Sequence, residues 1–301
     1  MKDTVQAKVL SVNEFKEIMT DFTNPLEIFR ETVQNSYDAG ATEIIITLDN
    51  NEETKRLDIV IEDNGEGLLP KQFSNFFDLG NSTKRGTKNK QYIGEKGHGT
   101  KICYNSDKLV LESWCEGKKY YSEMDMPRYK LTKKSPPEVP SYTKPAEVPH
   151  KEKKQQGTRI TIQGYLTDDY DSGNDKTFHH AAVKDYLLWF SAWGSVEAEF
   201  GSQENAKKII KLRGVNYDES RDQEKYDFKI GKDGYEHIPF GHRFPEKEVS
   251  STEELKRYAK KVAEGDIRAP LSVKQNAEKY WEKFFAKRIV LDGDVKLGVR
   301  K

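Results

Sequence analysis

Glu31 and Asn35 stand four residues apart, and two glycine-rich turns follow them, Asp63-Asn64-Gly65-Glu66-Gly67 and Gly94-Glu95-Lys96-Gly97-His98-Gly99. Four residues is about one helical turn, so a carboxylate and a carboxamide project from one face of the helix predicted there. The carboxylate can orient a water or take its proton. The carboxamide offers a neutral oxygen to Mg²⁺, which keeps most of its waters and takes further ligands from substrate phosphates. Asp63, at a strand end, supplies an acceptor for an exocyclic amine, and Gly65 and Gly67 keep side chains away from it. Gly94, Gly97 and Gly99 precede a predicted helix carrying Thr100, Ile102 and Cys103, and backbone N–H groups at such a start suit anionic oxygens. Lys96 and Lys101 would neutralise phosphate charge there, with Ser82-Thr83-Lys84 adding contacts from the near end of the loop. His98 reads as a donor to phosphate or a solvated side chain, not as a general base.

Each piece has an ordinary alternative. Asp63 to Gly67 is also a plain strand-to-helix turn, Glu31 a helix glutamate paired with Arg30, the loop lysines solvated charge, and Thr158 a residue chosen for strand propensity. The ordered set reads as an ATP site with Mg²⁺, to which Thr158 adds a hydroxyl. No Gly-x-x-x-x-Gly-Lys-Ser/Thr occurs, so this is not a P-loop enzyme, and Gly94 to Gly99 lacks the spacing of a dinucleotide fingerprint.

Four motifs in one order carry a family resemblance: Glu31-Thr32-Val33-Gln34-Asn35-Ser36-Tyr37-Asp38-Ala39-Gly40-Ala41, Asp63 to Gly67, Gly94 to Lys101, and Gly157-Thr158-Arg159-Ile160-Thr161-Ile162. The chain resembles the GHKL superfamily of ATPases, which have the Bergerat nucleotide-binding fold, over roughly residues 14 to 200. The resemblance implies an α+β fold: a two-layer α/β sandwich of Bergerat type, with a mixed, mainly antiparallel sheet and helices on one face, followed by a smaller α+β segment. It also implies nucleotide contacts at Asp38. Sensor histidine kinases of similar fold commonly lack an acid at the position of Glu31, so ATP hydrolysis is the implied reaction. Asp38-Ala39-Gly40-Ala41 is most similar to mismatch-repair MutL proteins, microrchidia ATPases and type II topoisomerase ATPase subunits, whereas the order of the terminal helix and strand resembles the ninety-kilodalton heat-shock chaperones. Two partner classes follow, DNA or a DNA-bound partner and a protein client, with a nucleotide-binding regulator of little turnover as a third reading. In those relatives ATP closes a lid and joins two nucleotide domains into a dimer, and a lysine from the second domain often reaches the γ-phosphate; the resemblance offers Lys274 as the candidate here, its alternative being a solvated lysine near a helix start.

The elements that must position these residues follow from pattern. A short helix is expected over 13–20, opened by Asn13, and a longer one after Asn24-Pro25, where asparagine caps and proline suits the first turn. Leu26, Phe29, Val33 and Tyr37 mark its buried side, and Gly40 ends it. The β-branched runs 42–48 and 57–62 read as adjacent strands. Residues 70–79 predict a helix, 80–99 a glycine- and lysine-rich lid, and 108–114 with 119–124 a hairpin turning at Glu116-Gly117-Lys118. Residues 126–156, with six prolines, read as an exposed inserted loop. A strand over 158–163, a helix over 179–193 and a strand over 196–200 close a first domain, 1–202. Residues 203–301 read as a small second domain or the start of a transducer-like one, with helices near 251–264 and 272–287.

The chain has 301 residues, with Lys+Arg and Asp+Glu both at 50, so no global field draws in a polyanion. Two cysteines, Cys103 and Cys115, cannot form a disulfide framework and read as reduced core residues. No stretch offers the roughly 18 apolar residues of a spanning helix, and the sequence reads as a cytoplasmic protein without internal repeats.

Overall fold

The structure, a computed structural model, describes residues 11–20, 22, 24–51, 56–79, 99–152, 154, 156–165, 177–191, 193, 207–215 and 230–240. The lid (apart from Gly99), the strand expected over 196–200 and the helices expected beyond 250 lie outside them, as do Lys84, Gly94, Lys96, Gly97, His98 and Lys274.

Eight strands form one sheet: β1 Glu43–Asn51, β2 Arg56–Asp63, β3 Lys108–Cys115, β4 Lys118–Asp125, β5 Ala146–Val148, β6 Gly157–Tyr165, β7 Ile209–Arg213 and β8 Glu236–Pro239, in the spatial order β5-β4-β3-β6-β2-β1-β7-β8. All neighbours are antiparallel except β1 and β7. Along β2 and β4, and over most of β1 and β3, every second residue is buried, as expected where one face carries the core. Against that face pack α2 Glu27–Asp38 and α5 His180–Phe190, with α1 Ser11–Thr20, α3 Phe73–Phe77 and α4 Pro127–Thr132 completing the layer. Ile28, Phe29 and Val33 of α2 meet Ile44, Ile46, Ile59, Ile61 and Leu111 in one continuous core, where each fully buried apolar side chain contributes about 1.5–3 kcal/mol. Leu26 joins that core, and Tyr37 packs at its margin.

Several expected boundaries move. The first helix begins at Ser11, two residues before Asn13. The helix expected over 70–79 is a 3-10 turn, Pro70–Gln72, running into α3, and it stops at Asp78, whose backbone is extended. Residues 126–156 are not simply an exposed loop. Pro127 stands in the first turn of α4, whose Pro127, Arg128 and Leu131 are buried, and β5, bracketed by Pro145 and Pro149, pairs with β4 at the sheet edge. The boundary expected at 202/203 does not end the sheet. β7 lies parallel to β1 and β8 pairs with β7, so both extend it past that point. The pairing joins residues more than 160 positions apart, as Glu43 with Ile209, and no local pattern announces it.

Candidate nucleotide site

Asn24 and the start of α2 position the helix that carries the first motif. The Asn24 side chain accepts from the Leu26 N–H at 3.0 Å, and its carbonyl accepts from the Glu27 N–H at 3.0 Å. Further along α2, Ser36 is buried and Asn35, beside it, is exposed. At its end the Ala39 carbonyl accepts from the Glu66 N–H at 3.0 Å, fixing the Asp63 turn against the helix terminus.

Asp63 closes β2 and is buried. Its Oδ1 accepts from the Gly65 N–H at 2.8 Å and the Thr158 N–H at 3.3 Å, and its Oδ2 accepts from Ser36 Oγ at 3.1 Å and from the Thr158 hydroxyl. Thr158 thus touches the carboxylate directly. A carboxylate has about four acceptor positions, and the protein donors address them all. Ser36, however, has one hydroxyl proton and a second acceptor within reach, the Thr32 carbonyl at 3.1 Å. Turning that proton to Thr32 frees a position on Asp63 for an incoming N–H. Neither Ser36 nor its link to Asp63 stood out in the sequence, since a serine on a helix face carries no chemical pattern of its own.

The glycines do different work. A side chain at Gly65 would press on the Ala39 carbonyl at 2.9 Å and on the Asp63 carboxylate at 3.0 Å. At Gly67 it would strike the Trp114 carbonyl at 2.1 Å, so this glycine makes room for β3, not for a base. Asn64 secures the same turn from below, its Oδ1 accepting from the Thr42 and Glu43 N–H groups at 2.8 and 2.9 Å. Ser113 Oγ accepts from the Leu68 N–H at 2.6 Å.

Earlier on α2 the contacts among the described residues are fewer. Glu31 Oε1 accepts from Arg30 at 2.8 Å, the pairing an ordinary helix glutamate would make, while a Cβ built on Gly99 would fall 1.9 Å from Glu31 Oε2. The last glycine of the second glycine-rich motif therefore lies against the Glu31 carboxylate. Back at the C-terminal end of α2, Asp38 accepts from Gln34 Nε2 at 3.0 Å.

The helix expected after the glycines is present as a 3-10 helix, Gly99–Tyr104. Lys101 does not face a phosphate: its side chain is fully buried, and Nζ donates to the Phe76 carbonyl at 2.7 Å and to Thr100 Oγ1 at 2.9 Å. Thr100 Oγ1 donates to the same carbonyl at 2.9 Å. Burial pushes the Lys101 ammonium down to about 8, against the opposing pull of Cys103 and Asp78. Burial likewise pushes the Cys103 thiol up to about 12, which leaves it inert, while Cys115 is partly exposed.

Residues 24–158 match a family model described as histidine kinase-, DNA gyrase B-, and HSP90-like ATPase. These residues form a GHKL-type ATPase domain of Bergerat fold. No curated protein matches the chain. The matched span of the GHKL domain opens at Asn24, in the turn before α2, and closes at Thr158, whose hydroxyl meets Asp63. The sheet that carries the domain extends beyond it through β7 and β8. No described helix is long and apolar enough to cross a membrane.

The donor set is compatible with the MgATP that the family implies. Among the described residues no three His, Cys, Asp or Glu side chains gather as a metal cage. A Mg²⁺ held by the exposed Asn35 oxygen and nucleotide phosphates suits such a surface, because this ion binds through few protein ligands.

Proposed function

We propose that this GHKL domain binds MgATP, with Asp63 accepting the adenine amine, and hydrolyses it, with Glu31 orienting the attacking water or taking its proton. Bound Mg²⁺ would neutralise phosphate charge, with Asn35 as its protein ligand. The observation that carries the reading is the Asp63 carboxylate, buried at a strand end and oriented by Gly65, Thr158 and Ser36. A buried acceptor of this kind discriminates strongly, because a base that lacks the matching donor leaves it unpaired. Gly99, the last glycine of the second motif, lies against Glu31 at the proposed hydrolytic end.

By resemblance, residues 80–99 close over the triphosphate, Lys84, Lys96 and His98 supply donors, and two copies join. The Asp38-Ala39-Gly40-Ala41 motif favours DNA or a DNA-bound partner. The deciding experiment is calorimetry with MgATP on wild type, Asp63→Asn and Asp63→Ala, each verified as folded by circular dichroism. Wild type binds and both variants do not; undiminished affinity in either overturns the assignment of Asp63. Sedimentation of wild type with ADP or a non-hydrolysable ATP analogue, with and without duplex DNA, tests the rest. An unchanged monomer in every sample removes dimerisation and the DNA partner.

A further inference from the structure

Asp63 is held from two sides by one short stretch of chain. Its carboxylate is oriented by Thr158, and its backbone carbonyl accepts from Lys154 Nζ at 2.7 Å. The same ammonium donates to Glu62 Oε1 at 2.8 Å and lies 4.6 Å from the centroid of the buried Trp114 ring. An ammonium has three donors and gains from an aromatic face, so each direction around Nζ has a purpose. Gly157 permits the approach: a side chain there would meet the Asp63 carbonyl at 2.1 Å and Lys154 Cε at 2.8 Å. Burial works against ionised Glu62, yet Lys154 and Arg159 outweigh it and hold its carboxyl below the usual range. The lysine therefore sits between a committed carboxylate and the backbone of the residue that meets the base.

We propose that Lys154 is a positioning residue for base recognition: it fixes the main chain of Asp63 so that the carboxylate, set by Thr158, presents a lone pair at one place and angle. The inference rests on the assignment of Asp63 as the adenine acceptor. A lysine that only tied two strands together would affect all nucleotides alike. A positioning lysine affects the one contact that Asp63 makes, the bond to the exocyclic amine. ITP carries a carbonyl where ATP carries that amine, so it reports binding without the contact.

The test is calorimetric titration of ATP and ITP, each with Mg²⁺, on wild type, Lys154→Met, Lys154→Arg and Asp63→Ala, with melting curves for each. Lys154→Met weakens ATP about tenfold and ITP less than about twofold, so the preference for ATP shrinks, and Lys154→Arg restores most of it. A folded Lys154→Met that keeps the wild-type preference, or loses ATP and ITP equally, overturns the proposal. If Lys154→Met does not fold, Glu62→Gln decides: it frees the ammonium on its other side and narrows the preference, whereas an unchanged preference overturns the proposal. Asp63→Ala separates the two levels. If it keeps ATP affinity, the assignment of Asp63 itself fails; if it loses ATP while Lys154→Met keeps the preference, only the role of Lys154 fails.

Discussion

The two ends of α2 are built on opposite plans. Near its C-terminus Ser36 reaches a buried carboxylate that four protein donors address, and the turn around it is tied to α2, β1, β3 and β6. Toward its N-terminal half Glu31 has Arg30 on one oxygen and the bare Gly99 on the other, and Asn35, one turn after Glu31, is exposed. The first end is organised before anything binds, which suits recognition of a rigid base: polar groups already oriented cost little reorganisation. Among the described residues the second end has few fixed contacts, which suits a flexible triphosphate that brings its own charge and metal.

That contrast is broken most directly at Glu31. Glu31→Ala retains ATP affinity and loses about 10²–10⁴ in hydrolysis rate, the usual worth of a positioned general base. Single-turnover hydrolysis alongside calorimetry on the same protein measures both quantities. Wild-type turnover in Glu31→Ala would make this end an ordinary helix surface with an Arg30 ion pair.

A smaller effect grades the organised end. Thr158→Val removes the hydroxyl from Asp63 but keeps shape and backbone N–H, and weakens ATP about tenfold, the worth of a hydrogen bond to a charged group. Ser36→Ala weakens it less, because Asp63 keeps Gly65 and Thr158 and because the serine proton must turn away when the amine arrives. Equal losses in the two variants would mean that Ser36 holds Asp63 in the bound state as well, contrary to the role given to Thr32. Competition against a fluorescent nucleotide resolves differences of this size.

Legibility in the sequence follows the same division. Asp63, its glycines, Thr158, α2 and the β3–β4 hairpin rest on local rules: a capped apolar period, a β-branched run before Asp-Asn-Gly, and a tight turn at Glu116-Gly117, both with positive φ. What escaped depends on residues distant in sequence. Lys154 lies in a run that reads as solvated charge, and only its placement against Trp114, Glu62 and the Asp63 carbonyl gives it partners. α4 was hidden by the proline count, because prolines that start helices and flank edge strands look the same as prolines in loops. β7 shows a short alternating apolar run, Ile209-Ile210-Lys211-Leu212, but nothing local announces its parallel pairing with the edge of β1.

Lys101 shows the limit of reading a cation from its neighbours, and it gives the test with the smallest expected effect on nucleotide. In sequence it follows Gly99 and Thr100, as a phosphate ligand would; in the fold it is buried and spends its donors on Phe76 and Thr100. Lys101→Met keeps the length and the packing, and the Phe76 carbonyl retains Thr100 as a partner. ATP affinity should stay within about twofold of wild type, since a group that makes no phosphate contact removes no binding energy. Stability should rise by about 1–2 kcal/mol at pH 7, because a desolvated ammonium is replaced by an apolar chain of similar volume. The pH dependence fixes the cause. Folding lowers this group from 10.5 to about 8, so between those values the unfolded state binds more protons than the native one. Wild-type stability attributable to Lys101 therefore increases as pH rises from about 8 to 10.5, and the penalty is fully present below that window. In Lys101→Met the increase vanishes. Denaturant melts at pH 7, 8, 9 and 10 compare the two proteins directly. A variant that loses ATP affinity tenfold with no change in the pH slope would return Lys101 to the phosphate end and erase the contrast between the two ends of α2.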